Sequence, residues 1–129
     1  MEHSIEFGGN PVDVIVTTSG DASPAGFRRM IEELVTDPRY HPPMRVLVDH
    51  TALETASLTV AAVDEIASAI TRAGPRLGAS AVASVAARDA TFGLARMTES
   101  KMETPLLQSH IVRSRAEALA WLAEQSLDG

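Results

Sequence analysis

Two short runs near the start of the chain repeat an apolar residue at every second position. Ile5 and Phe7 form the first run, residues 12–16 form the second with valine at alternate positions, and a Gly-Gly-Asn-Pro loop separates them. A period of two residues is typical of strands with one buried face. A short loop between two such strands favours a hairpin, so we expect the first two strands to be antiparallel.

The following segment changes to the period of a helix. Its apolar residues recur at i, i+3, i+4, i+7 and i+8, and the arginines and glutamates between them point away from this face. Ser23 and Pro24 are residue types preferred at the N-cap and in the first turn, and Asp37-Pro38 ends the pattern. The segment is therefore predicted to be an amphipathic helix. Its apolar face contains Phe27, Met30, Ile31, Leu34 and Val35.

The middle of the chain predicts a strand and a second helix. The continuous apolar run at residues 46–48, which ends at Asp49, is typical of a strand covered on both faces. A helix is expected from about residue 59 to residue 73, because Gly74-Pro75 favours a left-handed cap followed by a helix breaker. The expected apolar stripe of this helix consists of Val60, Val63, Ile66, Ala67 and Ile70.

Two further strands and two helices complete the chain. Strands are expected at residues 79–87 and 110–113, and a helix that Asp89 caps is expected to run to about residue 102 between them. Ser114 and Glu117 have the S-x-x-E spacing of a capping box, which predicts the start of a final helix. The residues of that helix expected to face inward are Ala118, Leu119 and Leu122.

The resulting element order is β-β-α-β-α-β-α-β-α within a single domain, residues 1–129. Helices between successive strands imply parallel pairing through right-handed crossovers, and the hairpin adds one antiparallel strand. The predicted fold is therefore α/β, with one mixed and mostly parallel sheet flanked by four helices.

Composition and charge exclude several classes of function. The chain has 129 residues and no cysteine, which excludes disulfides, cysteine-based zinc sites and cysteine nucleophiles. Acidic residues outnumber basic residues by 17 to 11, and no basic cluster marks a nucleic-acid interface. The four histidines lack metal-ligand spacing, and aromatic residues amount to only 4%, which leaves few rings to hold a flat cofactor. We therefore expect neither a metal nor a cofactor, and no nucleic-acid partner.

The sequence also predicts no membrane span. No apolar stretch approaches the roughly 20 residues that cross a bilayer, and the N-terminal MEHSIEF lacks the basic and apolar parts of a secretion signal. Ten of the 11 basic residues are arginine, a bias that often accompanies GC-rich bacterial genomes. We expect a cytoplasmic bacterial protein.

Two groups of residues suggest enzyme chemistry, but neither satisfies its requirements. Asp49, His50 and Ser57 are the residue types of an acyl-transfer triad, yet neighbouring strand residues point to opposite faces and no G-x-S-x-G turn is present. Residues 17–21 form a Thr-, Ser- and Gly-containing loop before a helix, which can hold phosphate, but Asp21 would repel that ligand. An ordinary turn and cap explain the same residues, so no enzyme is predicted.

Four segments of the chain resemble the SpoIIAA-like family of the STAS (sulphate transporter and anti-sigma factor antagonist) fold. They are FRRMIEELVTDPRY in the first helix and the loop after it, MRVLVD in the third strand, FGLARM in the third helix and RSRAEALAWL near the C-terminus. The likeness extends over nearly the whole chain, and the element order agrees with it. The resemblance implies a non-enzymatic regulatory module that binds a protein partner, in the manner of an anti-sigma factor antagonist.

The resemblance also implies a regulatory site. In the family pattern the third strand ends in Asp, and a D-S-S-G-like element opens the next helix with a phosphorylated serine. Asp49 matches the strand end and Ser57 matches the serine, whereas Thr55 and Leu58 replace the acidic residue and the glycine. Two interpretations remain: Ser57 is a phosphorylation switch, or Ser57 or Thr59 simply caps the second helix.

Two further hypotheses concern what the chain binds. Phe92 projects away from the helix face formed by Leu94, Met97, Thr98 and Met102. This spare apolar surface suggests a homodimer interface that includes Phe92 and Met97, unless Phe92 folds onto a neighbouring loop. The kinship of the fold with lipid-transfer domains suggests an alternative to protein binding, a carrier or sensor of an apolar small molecule or lipid held between helices and sheet. Such a carrier needs a cavity of roughly a few hundred Å³.

Overall fold

Within residues 1–127, five strands form one sheet, and four helices cover it. The computed structural model describes residues 1–127. The elements in chain order are β1 (Glu2–Phe7), β2 (Val14–Asp21), α1 (Pro24–Thr36), β3 (Arg45–Glu54), α2 (Val60–Leu77), β4 (Ala81–Val85), α3 (Asp89–Lys101), β5 (Gln108–Val112) and α4 (Arg115–Glu124). The strands lie in the order β1-β2-β3-β4-β5, with β1 antiparallel to β2 and the other neighbours parallel. The predicted hairpin and the predicted mixed, mostly parallel sheet are confirmed.

The helices are divided unequally between the two faces of the sheet. α2 packs between α1 and α3 on one face, and α4 packs on β3, β4 and β5 from the other. Val46 and Val48 belong to the core beneath α1 and α2, whereas Leu47 between them belongs to the core beneath α4. Since alternate residues of a strand point to opposite faces, this run is covered on both faces, as predicted.

Side-chain caps fix the starts of α1 and α4. The Oγ of Ser23 accepts a hydrogen bond from the Gly26 N–H at 3.0 Å, and the Oγ of Ser114 accepts one from the Glu117 N–H at 3.2 Å. Glu117 in turn accepts a hydrogen bond from the Arg113 N–H at 2.9 Å. The capping box is therefore reciprocal, although the glutamate binds the N–H of the residue before the N-cap and not that of the N-cap itself. Both predicted caps are confirmed.

Two strands extend further than predicted. β2 includes residues 17–21, which the sequence predicts as a loop, and β3 continues past Asp49 to Glu54. The additional residues pair with each other, with Asp21 opposite Glu54. Backbone hydrogen bonding between two polar strand tails therefore extends the sheet where the apolar pattern ends. The residues considered for phosphate binding belong to the sheet and form no loop.

α2 continues through the residues predicted to end it. Gly74 and Pro75 lie within the helix, which ends at Gly78, whose φ is 68° and whose N–H bonds to the Gly74 carbonyl. Pro75 lies in the last turn of α2, where its missing N–H removes one helical hydrogen bond. The left-handed glycine cap is therefore Gly78.

Some predicted side-chain positions and element bounds are also wrong. Val60 is 63% exposed because it is the first residue of α2, and Leu119 is 36% exposed because the buried stripe of α4 is Ala118 and Leu122. Asp89 is the first residue of α3 and does not cap it. β4 is shorter than predicted, and β5 begins before residue 110.

Candidate functional site

Asp49 and His50 are consecutive residues of β3, and their side chains lie on opposite faces of the sheet. Asp49 accepts hydrogen bonds from Arg115 Nε of α4 at 2.7 Å and from the Thr51 N–H at 2.8 Å. Burial raises the pKa of Asp49, but the hydrogen bonds from Thr51 and Arg115 outweigh burial and hold the pKa below its ordinary value. His50 lies against Phe27 of α1, with 5.6 Å between ring centroids. Asp49 and His50 therefore do not converge as a catalytic triad requires.

His50 is a buried imidazole in a fixed orientation. Its Nδ1 lies 2.7 Å from Oγ1 of Thr18, and the same Oγ1 donates to the Asp49 carbonyl at 3.3 Å. Because Thr18 has one hydroxyl proton, both contacts are hydrogen bonds only if Nδ1 of His50 carries a proton and donates it. Burial lowers the pKa of His50 to about 4, although the Asp49 charge opposes this effect. His50 is therefore neutral at pH 7, and its Nε2 is a hydrogen-bond acceptor.

An apolar cavity of about 140 Å³ lies between the sheet and α1, α2 and α3. Half-buried residues of α3 form one wall, and His50 is one of the few polar residues in contact with the space. Apolar cavities of about 150 Å³ stay dry and bind benzene, whereas drug-sized ligands need roughly 300 Å³ or more. The cavity therefore has room for a small apolar molecule, whereas a longer lipid would extend beyond it. Residues in its wall include Phe27, Met30, Ile66, Ile70, Leu94 and Met102.

The segment between β3 and α2 contains the residues that match the switch of the resembled family. Thr55 is buried, and its Oγ1 lies 3.2 Å from Oγ1 of Thr91 on α3. Thr59 caps α2, because its Oγ1 accepts a hydrogen bond at 3.1 Å from the backbone N–H three residues later. Ser57 is exposed. The structure thus brings Thr55, Ser57 and Thr59 together at the start of α2, whereas Asp49 points to the face covered by α4.

The neighbouring helices α2 and α3 each expose a large apolar side chain. Lys101 Nζ of α3 bonds to Asp64 of α2 at 2.6 Å, which holds the two helices side by side. Val60 lies one turn before Asp64, and Met97 lies one turn before Lys101, with exposures of 63% and 38%. We name this surface, Ser57, Val60, Met97 and the Asp64–Lys101 pair, the α2–α3 seam.

Phe92 lies outside the cavity wall and outside the seam. Its ring is half-buried beneath the Arg113 guanidinium, which lies 4.0 Å from the ring centroid and also bonds to Asp89 at 2.6 Å. Phe92 therefore packs against the connection between β5 and α4. Met97 is part of the predicted α3 face but is more exposed than the cavity residues of that helix. A homodimer interface at Phe92 and Met97 stays a prediction.

Three residues of the site are not among those that the sequence patterns predict. Thr18 occupies the same alternating face as Val14 and Val16, so its burial follows from the period of two once β2 is extended. No local sequence pattern indicates the role of Arg115, because Arg115 and its partner Asp49 are 66 residues apart in the sequence. Thr91 is likewise the one fully buried residue of a helix whose apolar pattern is weak.

Two further properties of residues 1–127 bear on function. Within this range, no group of three or more His, Asp and Glu side chains could hold a metal ion. No helix in the same range has both the length and the apolar character needed to cross a membrane.

The sheet order and the distribution of helices define a SpoIIAA-like α/β fold, the fold that the sequence resemblance implies. The chain is similar to the crystal structure of an uncharacterized DUF3478-family protein with a SpoIIAA-like fold from Shewanella loihica PV-4. The TM-score is 0.60 at 16% sequence identity, and the match covers 93% of each chain. No protein-family model and no curated protein matches the sequence.

Proposed function

We propose that this chain is a non-enzymatic regulatory module of the STAS type that binds a protein partner through the α2–α3 seam. The observation that carries the proposal is the exposure of Val60 and Met97 on neighbouring helices, with the exposed Ser57 three residues before Val60. Large apolar side chains that are exposed together favour a contact surface, and methionine adapts to the shape of a partner. A partner that covers this surface would also contact Ser57, so phosphorylation of Ser57 would change binding by adding charge.

The pairing of polar groups supports a binding function over an enzymatic one. Asp49 is bound to Arg115, Thr55 lies beside Thr91, and Nδ1 of His50 is engaged by Thr18. Catalysis requires titratable groups that converge on one reacting atom. Here Asp49 and His50 are separated by the sheet, and the cavity wall is almost entirely apolar.

Val60→Asp is expected to weaken capture of the partner about tenfold, because a carboxylate would be buried against apolar atoms in the complex. The measurement is quantitative affinity purification from the source cells with tagged wild-type and variant proteins. Ala120→Asp is the matched control, since Ala120 is an exposed residue of α4 on the other face of the sheet. A partner captured equally by all three proteins would contradict binding at the seam.

The same variant distinguishes a second copy of the chain from another protein. If the seam forms a homodimer, wild type and Ala120→Asp sediment as dimers at high micromolar concentration, and Val60→Asp sediments as a monomer. A monomeric wild type excludes the homodimer and leaves a different protein as the partner.

The cavity favours a second candidate function, a carrier or sensor of a small apolar molecule. Its volume of about 140 Å³ and its apolar wall suit such a ligand. α3 covers the cavity with half-buried side chains and has Thr91 as its one fully buried residue. Few buried contacts favour local opening, which would give a ligand access.

Native mass spectrometry of protein purified from its source cells tests both functions. A bound apolar molecule of roughly benzene size is expected from the cavity volume, and added phosphate on Ser57 is expected from the switch. Ser57→Ala is the control for the site of phosphorylation. Protein that carries a ligand and no phosphate favours the sensor, and protein with neither modification nor ligand counts against both.

A further inference from the structure

We propose that the cavity selects a small apolar molecule that carries one hydrogen-bond donor, which donates to Nε2 of His50. The inference rests on the second proposed function, binding of an apolar ligand, and specifies its chemical class. An alcohol or a phenol with a single hydroxyl group is the simplest molecule of this kind.

Nε2 of His50 has no hydrogen-bond partner among the described residues. His50 is 8% exposed and lies in the cavity wall, and its one hydrogen-bond partner is Thr18 at Nδ1. Among the described residues, every fully enclosed side-chain nitrogen or oxygen has a hydrogen-bond partner. Nε2 has no partner and is therefore not enclosed by protein atoms. A buried polar atom in this situation gains most from a ligand that satisfies it.

The hydrogen bonds of Thr18 set the direction of recognition. With the Thr18 hydroxyl proton donated to the Asp49 carbonyl, Thr18 is left to accept from Nδ1 of His50, which would place the lone pair of the imidazole on Nε2. The cavity therefore offers an acceptor, and the matching ligand group is O–H or N–H. A carboxylate ligand would place negative charge against this lone pair and near Glu99, which also lies in the wall.

Other polar residues in the cavity wall distinguish less well between a hydrogen-bond donor and an acceptor on the ligand. Thr55 is paired with Thr91, and Glu99 accepts a hydrogen bond from Ser109 at 3.0 Å. Ser84 also lies in the wall, but a hydroxyl rotates and serves either donors or acceptors. The fixed imidazole is therefore the group that distinguishes a donor from an acceptor on the ligand.

Phenol and benzene are suitable probes, because both have the size that cavities of about 150 Å³ admit and only phenol has a donor. Wild type is expected to bind phenol at least as tightly as benzene. His50→Leu, which removes the acceptor at similar volume, is expected to weaken phenol about tenfold and to leave benzene nearly unchanged. His110→Leu is the matched control, since His110 is exposed on β5.

Imidazole NMR of the wild type tests the same inference without a variant. The Nδ1–H tautomer is expected for His50, and its Nε2 resonance should respond to phenol but not to benzene, with His110 unaffected. An Nε2–H tautomer, or equal binding of phenol by wild type and by folded His50→Leu, would overturn donor recognition while benzene binding still supports the apolar-ligand function. Failure of wild type to bind either molecule overturns both.

Discussion

Between pH 6.5 and pH 4, wild type is expected to lose about 3 kcal/mol more of its free energy of unfolding than His50→Gln, because only wild type has an imidazole to protonate at residue 50. In the unfolded chain the imidazole takes up a proton near its ordinary pKa of 6.5, but in the folded protein burial lowers the pKa to about 4. Between these values the unfolded state binds more protons than the folded state. The contribution of neutral His50 to the free energy of unfolding is therefore complete above pH 6.5, and it decreases as the pH falls towards 4. Glutamine occupies similar space and does not titrate.

The measurement is the free energy of unfolding in denaturant at several pH values for both proteins. Both proteins keep the same carboxylates, so the difference between the two curves reports on His50 together with its interaction with Asp49. His110→Gln is the control, because His110 is exposed and stacks on Trp121 with 5.2 Å between ring centroids. Parallel curves for wild type and His50→Gln would show that His50 titrates normally in the folded protein.

Local patterns in the sequence were sufficient to predict most of the fold. The face of α1 and the caps Ser23 and Ser114 depend on residues within a few positions of one another, and all three predictions are confirmed. The alternation of apolar residues at 12–16 likewise predicts which side chains at the start of β2 are buried. Such patterns are reliable because the physical cause, one buried face or one backbone hydrogen bond, lies within the segment itself.

The misplaced end of α2 is a local error. Pro75 lies within the helix and Gly78, three residues later, is its cap, so a second local signal sets the boundary. The extension of β3 is an error of another kind, because a distant segment decides the structure. β3 continues to Glu54 because β2 pairs with it, and the residues after Asp49 show no apolar alternation that indicates that pairing. There tertiary context outweighs local preference.

The candidate site could be predicted only in part for the same reason. The opposite orientations of Asp49 and His50 follow from strand alternation and are confirmed. The cavity does not follow from any motif, since its wall is formed by three helices and the sheet. The resemblance identifies Ser57, at the surface of the molecule, whereas the buried Thr18–His50 pair depends on a contact across 32 residues.

α4 is attached to the sheet by few buried residues, so the loss of one should have a large effect. Ala118 and Leu122 are fully enclosed against the face of β3, β4 and β5. Arg45 adds two hydrogen bonds at the end of the helix, from Nε to the Leu122 carbonyl at 2.9 Å and from the guanidinium to the Gln125 carbonyl at 2.6 Å. The helix spans only 10 residues, and within residues 1–127 the other three helices pack with one another or on the opposite face.

Leu122→Ala is therefore expected to reduce the free energy of unfolding by about 3 kcal/mol, because it removes apolar contacts and leaves a void that α4 alone cannot fill. Leu119→Ala is the matched control: the same substitution in the same helix at a residue that is 36% exposed should change stability by about 0.5 kcal/mol or less. Chemical denaturation of the three proteins measures both values. Equal destabilisation by the two substitutions would mean that Leu119, and not Leu122 alone, anchors α4 to the sheet.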